Sequence, residues 1–185
     1  MNALRTLAVW LPVAVFFRQL FSASATFTPV VGGRGSPLAI FISIGFFLML
    51  AGGPPAILNP WLVAVGGGGL LVALALFEWA RHAIRGQYFS YIYSDDTPQF
   101  VFVAGPYAYI RNPFYSSYLL AMFSTAAMLP AVHRWVIVSA AVFYFWRAAV
   151  FEEKKFARSP VAAEFEAYTQ RTGRFIPRRL SRRRG

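Results

Sequence analysis

The 185-residue chain is 57% hydrophobic and 18% aromatic, has only 14% charged residues and carries a net charge of +11. This composition excludes an ordinary soluble domain, and the lack of any linker or internal repeat predicts one integral membrane domain over residues 1–185. The absence of cysteine excludes disulfides and thiolate sites, and two histidines are too few for a histidine-rich metal centre, so we expect no bound metal.

Apolar runs predict about five transmembrane helices in an all-α bundle. The first, over about Leu4 to Leu20, begins like a secretory signal, but Pro12 and Arg18 interrupt it and we expect it to be retained. The second, over about Pro37 to Ala51, ends at a Gly-Gly-Pro-Pro turn. The third, over about Trp61 to Ala80, contains four consecutive glycines, which would let a neighbouring helix approach closely.

Acidic residues are scarce before the last span. Glu78 lies three residues before Arg81 and four before His82, so the three can form an ion-paired group on one helical face. Alternatively, Glu78 lines a functional cleft, because an acid so near the hydrocarbon is costly unless it is paired. Asp95 and Asp96 follow in a polar connection, where adjacent acids before Thr-Pro are more typical of a turn than of a Mg²⁺ or acid/base site.

The last two predicted spans form a hairpin. One runs over about Phe114 to Leu129 and the other over about Trp135 to Phe151, and the short connection requires antiparallel packing. The hairpin brings the start of the fourth span and Glu152-Glu153 to the same membrane face. That face carries most of the Lys and Arg residues, so it is predicted to be cytoplasmic.

The region after the fifth span is predicted to lie at the membrane surface. Ser159 followed by Pro160 predicts a helix start with Ser159 as N-cap, and Gly173 predicts its end. Apolar residues at helical spacing favour an interfacial helix. The basic tail, residues 178–185, is expected to bind anionic membrane lipids rather than nucleic acid, because it follows a membrane bundle.

One polar, aromatic stretch separates the long apolar runs, from Gly105 to Tyr118. Gly-Pro at 105–106 and Asn-Pro at 112–113 predict turns, and the second suits the first turn of a helix. The hydrogen-bonding and aromatic side chains of this stretch are Tyr107, Tyr109, Arg111, Asn112 and Tyr115. They suit a ligand with a carboxylate and a purine, although a juxtamembrane loop with tyrosines at the lipid headgroups would have the same composition.

This stretch resembles the Gly-Pro-Tyr-x-Tyr-x-Arg-His-Pro-x-Tyr-x-Gly signature of the isoprenylcysteine carboxyl methyltransferase family, which is grouped with the phospholipid methyltransferases. A second region agrees: Glu152-Glu153 and the segments Glu164–Tyr168 and Arg171–Pro177 are similar to the family's Glu-Glu, Glu-Tyr-x-x-Tyr and Arg-x-x-x-x-Ile-Pro ending. The resemblance covers about residues 100 to 177. Asn112 replaces the family's His, keeps its hydrogen bonding and cannot act as a base near neutral pH. Ser117 replaces the family's Gly and is still small.

The resemblance implies a membrane methyltransferase that uses S-adenosyl-L-methionine, with residues 105–177 as the cofactor-binding catalytic region. The implied acceptor is lipophilic or small: a prenylcysteine-type carboxylate, a phospholipid amine, an isoprenoid or a thiol. By the same resemblance, the catalytic residues are Arg111, Asn112 and Glu153. The implied cofactor-binding residues are Gly105, Tyr107, Tyr109, Asn112, Pro113, Tyr115, Glu152 and Glu153, and only one of the two glutamates is expected to face the cofactor.

Two other functions compete with methyl transfer. Sterol-type membrane reductases carry a related Arg-His-Pro-Asn-Tyr string and bind NADPH, but Phe114 and Glu152-Glu153 stand where those enzymes have Asn and an Arg-Asp pair, which favours methyl transfer. A non-catalytic membrane protein that kept the scaffold is the third interpretation, supported by Asn112 and Ser117. Neither the acceptor nor the oligomeric state follows from the sequence.

Overall fold

A computed structural model describes residues 3–26, 37–50, 58–85 and 97–178. Within these ranges the chain is all helical, without a β-strand, as predicted. One turn of 3-10 helix lies between the third and fourth helices at Gly105–Ala108. The helices are α1 (Ala3–Thr26), α2 (Pro37–Leu50), α3 (Pro60–Ala83), α4 (Pro113–Met128), α5 (Val132–Ala157) and α6 (Ala162–Arg171).

Two of these helices are long and apolar enough to cross a membrane: α3 with 24 residues and α5 with 26. Only 28% of the apolar part of each is buried inside the bundle. Much of the remainder is an outer surface of exposed apolar side chains, including Trp61, Val65, Val136 and Phe143. Such a surface is unfavourable in water, so it is consistent with a membrane protein. The count of about five spans stays a prediction.

Helices α3, α4 and α5 alternate in direction. Phe114, at the start of α4, packs on Phe77, near the end of α3, with ring centroids 5.2 Å apart. Tyr118 of α4 stacks on Phe145 of α5 at 6.1 Å. The predicted hairpin is therefore present, and the first residue of α4, Pro113, lies at the same end of the bundle as the last turns of α5.

Several predicted boundaries need correction. Helix α1 continues to Thr26 instead of ending near Leu20, because the small residues after Leu20 do not break a helix. Helix α6 begins at Ala162, not at Ser159. The Ser159 hydroxyl donates to the Phe156 carbonyl at 2.7 Å and accepts from the Val161 amide at 3.3 Å, so it closes the turn after α5 instead of capping α6.

The glycine run in α3 packs closely against α4, as predicted. A Cβ atom on Gly66 would lie 2.7 Å from both Met128 Cβ and the Ser124 carbonyl oxygen, and one on Gly69 would overlap Ser124 Oγ. A Cβ atom on Gly68, in contrast, would have no neighbour within 4 Å. Close approach of the two helices therefore depends on Gly66 and Gly69.

Replacing Gly66 with Ala is expected to lower the melting temperature in detergent, because the new methyl group would meet the backbone of α4 and push the two helices apart. The expected loss is about 1–3 kcal/mol of unfolding free energy. Gly68→Ala is the matched control, and it should be neutral or stabilising because Ala favours a helix over Gly by about 1 kcal/mol. Equal melting temperatures for the two variants would contradict the close α3–α4 contact.

Candidate functional site

The 3-10 turn before α4 holds residues 105–112, which we call the motif loop, against α3. Gly105 has a φ of 60°, in the left-handed region, and a Cβ atom there would lie 2.7 Å from Ala83 Cβ and 3.3 Å from Trp79 Nε1. Glycine thus serves both the turn and the close approach to α3. Pro113 occupies the first turn of α4, as predicted. The two predicted turns, at residues 105–106 and 112–113, therefore fix both ends of the loop.

A segment that we call the C-terminal strap, residues 172–176, runs beside the motif loop. The Arg111 amide donates to the Gly173 carbonyl at 2.8 Å, and the Gly173 amide donates to the Tyr109 carbonyl at 3.0 Å. These bonds form a parallel bridge between Ile110 and Gly173. Gly173, predicted to end α6, therefore lies beyond the helix end at Arg171 and joins the strap to the loop.

Side chains at the start of α4 also bind the strap. Asn112 donates twice to the Arg174 carbonyl, from its amide nitrogen at 3.1 Å and from Nδ2 at 3.2 Å. The Ser116 hydroxyl lies 2.7 Å from the Phe175 carbonyl and 2.9 Å from the Asn112 carbonyl. Its single proton can be donated to either of these two oxygens. Asn112, predicted to be catalytic, thus has a structural partner in the strap.

The Glu153 carboxylate lies between two guanidinium groups. Arg111 Nε donates to Oε1 at 3.0 Å, and Arg174 donates from Nε to Oε1 at 3.0 Å and from Nη2 to Oε2 at 2.6 Å. Arg111 Nη1 also donates to the Thr172 carbonyl at 2.6 Å. The bond to Glu153 raises the pKa of Arg174 above its ordinary value, so this guanidinium stays charged. The loop, α5 and the strap meet at this ion-paired group.

Of the two adjacent glutamates, Glu153 is the one that bonds to Arg111. Successive helical residues diverge by about 100°, so Glu152 points in another direction, and its side chain is also partly buried. The sequence predicted that one glutamate would face the site without saying which. Arg174 was not among the predicted site residues, although it stands in the ending motif, two residues before Ile176.

The three motif tyrosines lie in different surroundings. Tyr109 is 57% exposed, with its ring centroid 6.2 Å from that of Trp79. Tyr115 is buried in the core against Phe145, at 5.1 Å. Tyr107 is partly buried, and its carbonyl accepts a bond from the Tyr168 hydroxyl at 2.7 Å. The structure therefore leaves only the Tyr109 ring open on the surface, and Tyr107 and Tyr115 are turned into packed regions.

Burial also affects the hydroxyl groups beneath the loop. It raises the pKa of Tyr107 above its ordinary value and that of Tyr168 to about 12. Both hydroxyls are therefore neutral near pH 7. The hydrogen bond from Tyr168 therefore links α6 to the motif loop.

Glu78 forms ion pairs, as predicted by the interpretation that placed it in an ion-paired group on α3. Arg81 Nη2 lies 2.6 Å from Oε2, and His82 Nδ1 lies 2.7 Å from the Glu78 carbonyl oxygen. Arg18 of α1 adds a pair to Oε1 at 2.8 Å, which spacing within α3 could not reveal. The ion pairs of Glu78 thus join α1 to the C-terminal end of α3, the end that is predicted to face the cytoplasm.

Some predicted features lie outside the described residues: Asp95, Asp96, the Gly-Gly-Pro-Pro turn and the tail beyond Arg178. Within the described ranges, no group of three or more His, Asp or Glu side chains could hold a metal ion.

Replacing Gly173 with Ala is expected to release the strap. A Cβ atom there would collide with the Ile176 carbonyl oxygen and lie 3.1 Å from the Arg178 amide nitrogen. We expect the amides of Arg111 and Asn112, which donate to the strap, to exchange with deuterium about tenfold faster or more. Hydrogen-exchange mass spectrometry measures this, with Gly68→Ala as the control. Unchanged protection would show that the loop does not depend on the strap.

Comparison of the chain with family models, with curated protein sequences and with solved structures found no match in any of the three. The resemblance to the isoprenylcysteine carboxyl methyltransferase family therefore rests on the two motifs themselves.

Proposed function

We propose that this chain is a membrane methyltransferase that uses S-adenosyl-L-methionine and acts on a lipophilic or small acceptor. The supporting observation is the 3.0 Å bond between Arg111 Nε and Glu153 Oε1, across 42 residues of sequence. The two residues belong to separate motifs of the family resemblance. A chance likeness of two short strings would not require their charged residues to meet in space.

The residues at the site fit the charges of the cofactor. A carboxylate suits the ammonium, a guanidinium suits the carboxylate, and an open aromatic ring suits the adenine. In this proposal Glu153 binds the ammonium, Arg111 binds the carboxylate and orients the acceptor, and Tyr109 contacts the adenosyl group. When bound, the cofactor supplies the methyl group on a sulfonium, and the protein contributes orientation and electrostatics.

Binding of the ammonium would require Arg174 to move. Its guanidinium now engages both oxygens of Glu153, yet its side chain is 32% exposed, compared with 12% for Arg111. The more exposed arginine is the one that can turn outward with less loss of packing. Arg174 would then stabilise Glu153 in the absence of cofactor. Arg111 would remain beside Glu153 both with and without cofactor.

We further propose five membrane spans, with the candidate site at the cytoplasmic end. The ends of α3 and α5 at this side carry Arg81, Arg85, Lys154, Lys155 and Arg158, whereas Arg134 is the charge near the other end of the hairpin. Helices α2 and α4 have only 14 and 16 residues, so flanking residues or local thinning of the bilayer would complete their spans. Helix α6 would lie at the interface.

A thermal-shift titration of the detergent-purified chain tests the proposal. S-adenosyl-L-methionine and S-adenosylhomocysteine should raise the melting temperature and NADPH should not, because a ligand at a hundred times its Kd adds about 2.7 kcal/mol to the stability of the folded state. A response to NADPH alone would favour a sterol-type reductase. No response from a folded sample would favour a non-catalytic membrane protein.

A further inference from the structure

An arginine lies on the outer surface of α5, a helix long and apolar enough to cross a membrane. One face of α5 contains Val136, Phe143, Arg147, Phe151 and Lys154, and all five side chains are exposed. These residues fall within about 40° of Arg147 around the helix, so they form a single line along it. Arg147 is therefore an exposed cation flanked by apolar side chains.

The position of Arg147 along α5 places it inside the hydrocarbon layer. Arg134 bonds to carbonyls at the ends of α2 and α4, which places it near one boundary of this layer. Lys154 lies about 30 Å further along the helix, and this is the thickness of the hydrocarbon core. Arg147 therefore lies about 10 Å inside the boundary near Lys154. A charge at this depth is costly without a counter-ion.

Neither cation on this face is paired within the described part of the chain. The side chains of Arg147 and Lys154 form no hydrogen bond or ion pair with another described residue. Glu153 is engaged by the motif loop and the strap, and Glu152 lies about 140° around the helix from Arg147. A counter-anion for Arg147 is therefore to be sought outside the described bundle.

We propose that Arg147 and Lys154 bind the phosphate group of an anionic membrane phospholipid on this face of α5. The guanidinium can donate two parallel hydrogen bonds to phosphate oxygens. Helix side chains lean toward the N-terminus, so Lys154 leans over the preceding turn toward an anion bound at Arg147. Phe143 and Val136 provide an apolar surface for the acyl chains. Phosphatidylcholine should bind less well, because its choline cation would be repelled by the two basic residues.

The short helices beside α5 help a headgroup to reach this depth. Helix α2 has 14 residues, or about 21 Å, and α4 has 16 residues, or about 24 Å. Both are shorter than a hydrocarbon core of about 30 Å, which favours local thinning of the bilayer around them. Thinning and the length of the arginine side chain together bring the guanidinium and the phosphate into contact.

This lipid site is separate from the Arg111–Glu153 pair. Arg147 lies about 9 Å before Glu153 along α5 and about 120° around the helix from it. Lipid binding can therefore be measured without cofactor. The inference depends on α5 crossing the membrane and does not depend on methyl transfer.

Fluorescence quenching in lipid nanodiscs tests the proposal with the full-length chain. Trp146, next to Arg147, is 45% exposed. Phosphatidylglycerol with brominated acyl chains is added to phosphatidylcholine nanodiscs, and the difference between wild type and Trp146→Phe isolates the signal of Trp146. We expect saturable quenching that exceeds the quenching by brominated phosphatidylcholine at the same fraction. Arg147→Gln should lower the preference for phosphatidylglycerol about tenfold, the usual effect of one lost charge-assisted hydrogen bond.

Three further variants separate a specific site from general attraction. Arg147→Lys keeps the charge but loses the paired donors, so it should retain part of the preference. Lys154→Gln should also lower the preference, with Arg147 intact. Arg85→Gln removes the same charge from an exposed position just after α3, and it should leave the quenching unchanged.

Three results would overturn the proposal. Equal losses in Arg147→Gln and Arg85→Gln, at unchanged melting temperatures in lipid-free detergent, would mean that only net charge matters. Equal quenching of the wild type by the two lipids would mean that the face does not select an anion. Displacement of phosphatidylglycerol by inorganic phosphate would indicate a site for free phosphate instead of a lipid.

Discussion

Replacing Glu153 with Gln is expected to abolish methyl transfer and the rise in melting temperature caused by S-adenosylhomocysteine. The amide keeps the size of the side chain but cannot neutralise Arg111, Arg174 or the ammonium of the cofactor. Loss of one preorganised charged partner at a reacting site reduces turnover about a hundredfold or more. The assay measures transfer of a labelled methyl group into lipid-extractable product, together with the thermal shift. Arg111→Ala should have the same effect while the chain still inserts into membranes.

Two variants separate binding from structure in this prediction. Glu166→Gln, on the exposed face of α6, is the matched control and should behave as wild type. Arg174→Gln removes the strap's ion pair but leaves Glu153 beside Arg111, so it should keep or improve cofactor binding. Wild-type turnover in Glu153→Gln or Arg111→Ala would contradict the proposed methyltransferase site. Loss of binding in Arg174→Gln would mean that the strap, not the carboxylate alone, forms the site.

The helices could be predicted because their signals are local. Asn59 accepts a hydrogen bond from the Trp61 amide at 2.9 Å and Pro60 begins α3, and Pro113 begins α4 in the same way. The short connection between α4 and α5 fixes their antiparallel order, and this order brings Arg111 and Glu153 to one end of the bundle. The principal pair of the candidate site was thus predictable from topology and two motifs.

The strap was not predictable, because pairing between segments about 60 residues apart has no periodic signal. Gly173 appeared to be a helix stop, since glycine commonly follows a helix, and only the fold reveals that its missing Cβ makes room for the Ile176 carbonyl. Tyr115 had the same polar character in the sequence as Tyr109, yet in the first turn of α4 its side chain is buried in the core. Which face of a helix is buried depends on neighbours that the sequence does not name.

Replacing Arg134 with Met is expected to cause the largest loss of stability. Arg134 is 2% exposed, and it donates from Nε to the Met49 carbonyl at 2.7 Å and from Nη1 to the Leu129 carbonyl at 2.6 Å. These carbonyls lie at the C-terminal ends of α2 and α4, where helix carbonyls lack partners within the helix and a cation is favourable. Met fills similar space but leaves both buried acceptors unsatisfied, at about 1–3 kcal/mol each.

Unfolding of the detergent-solubilised chain by added sodium dodecyl sulfate measures this loss. Arg158→Met, exposed just after the end of the same helix, is the matched control, and it should change the unfolding free energy by no more than about 0.5 kcal/mol. Arg134→Lys keeps the charge but has a single nitrogen for two carbonyls in different helices, so it should fall between wild type and Arg134→Met. Equal stability of Arg134→Met and Arg158→Met would mean that water satisfies the two carbonyls. This end of the bundle would then lie in the aqueous interface instead of being sealed by one arginine that joins α2 and α4.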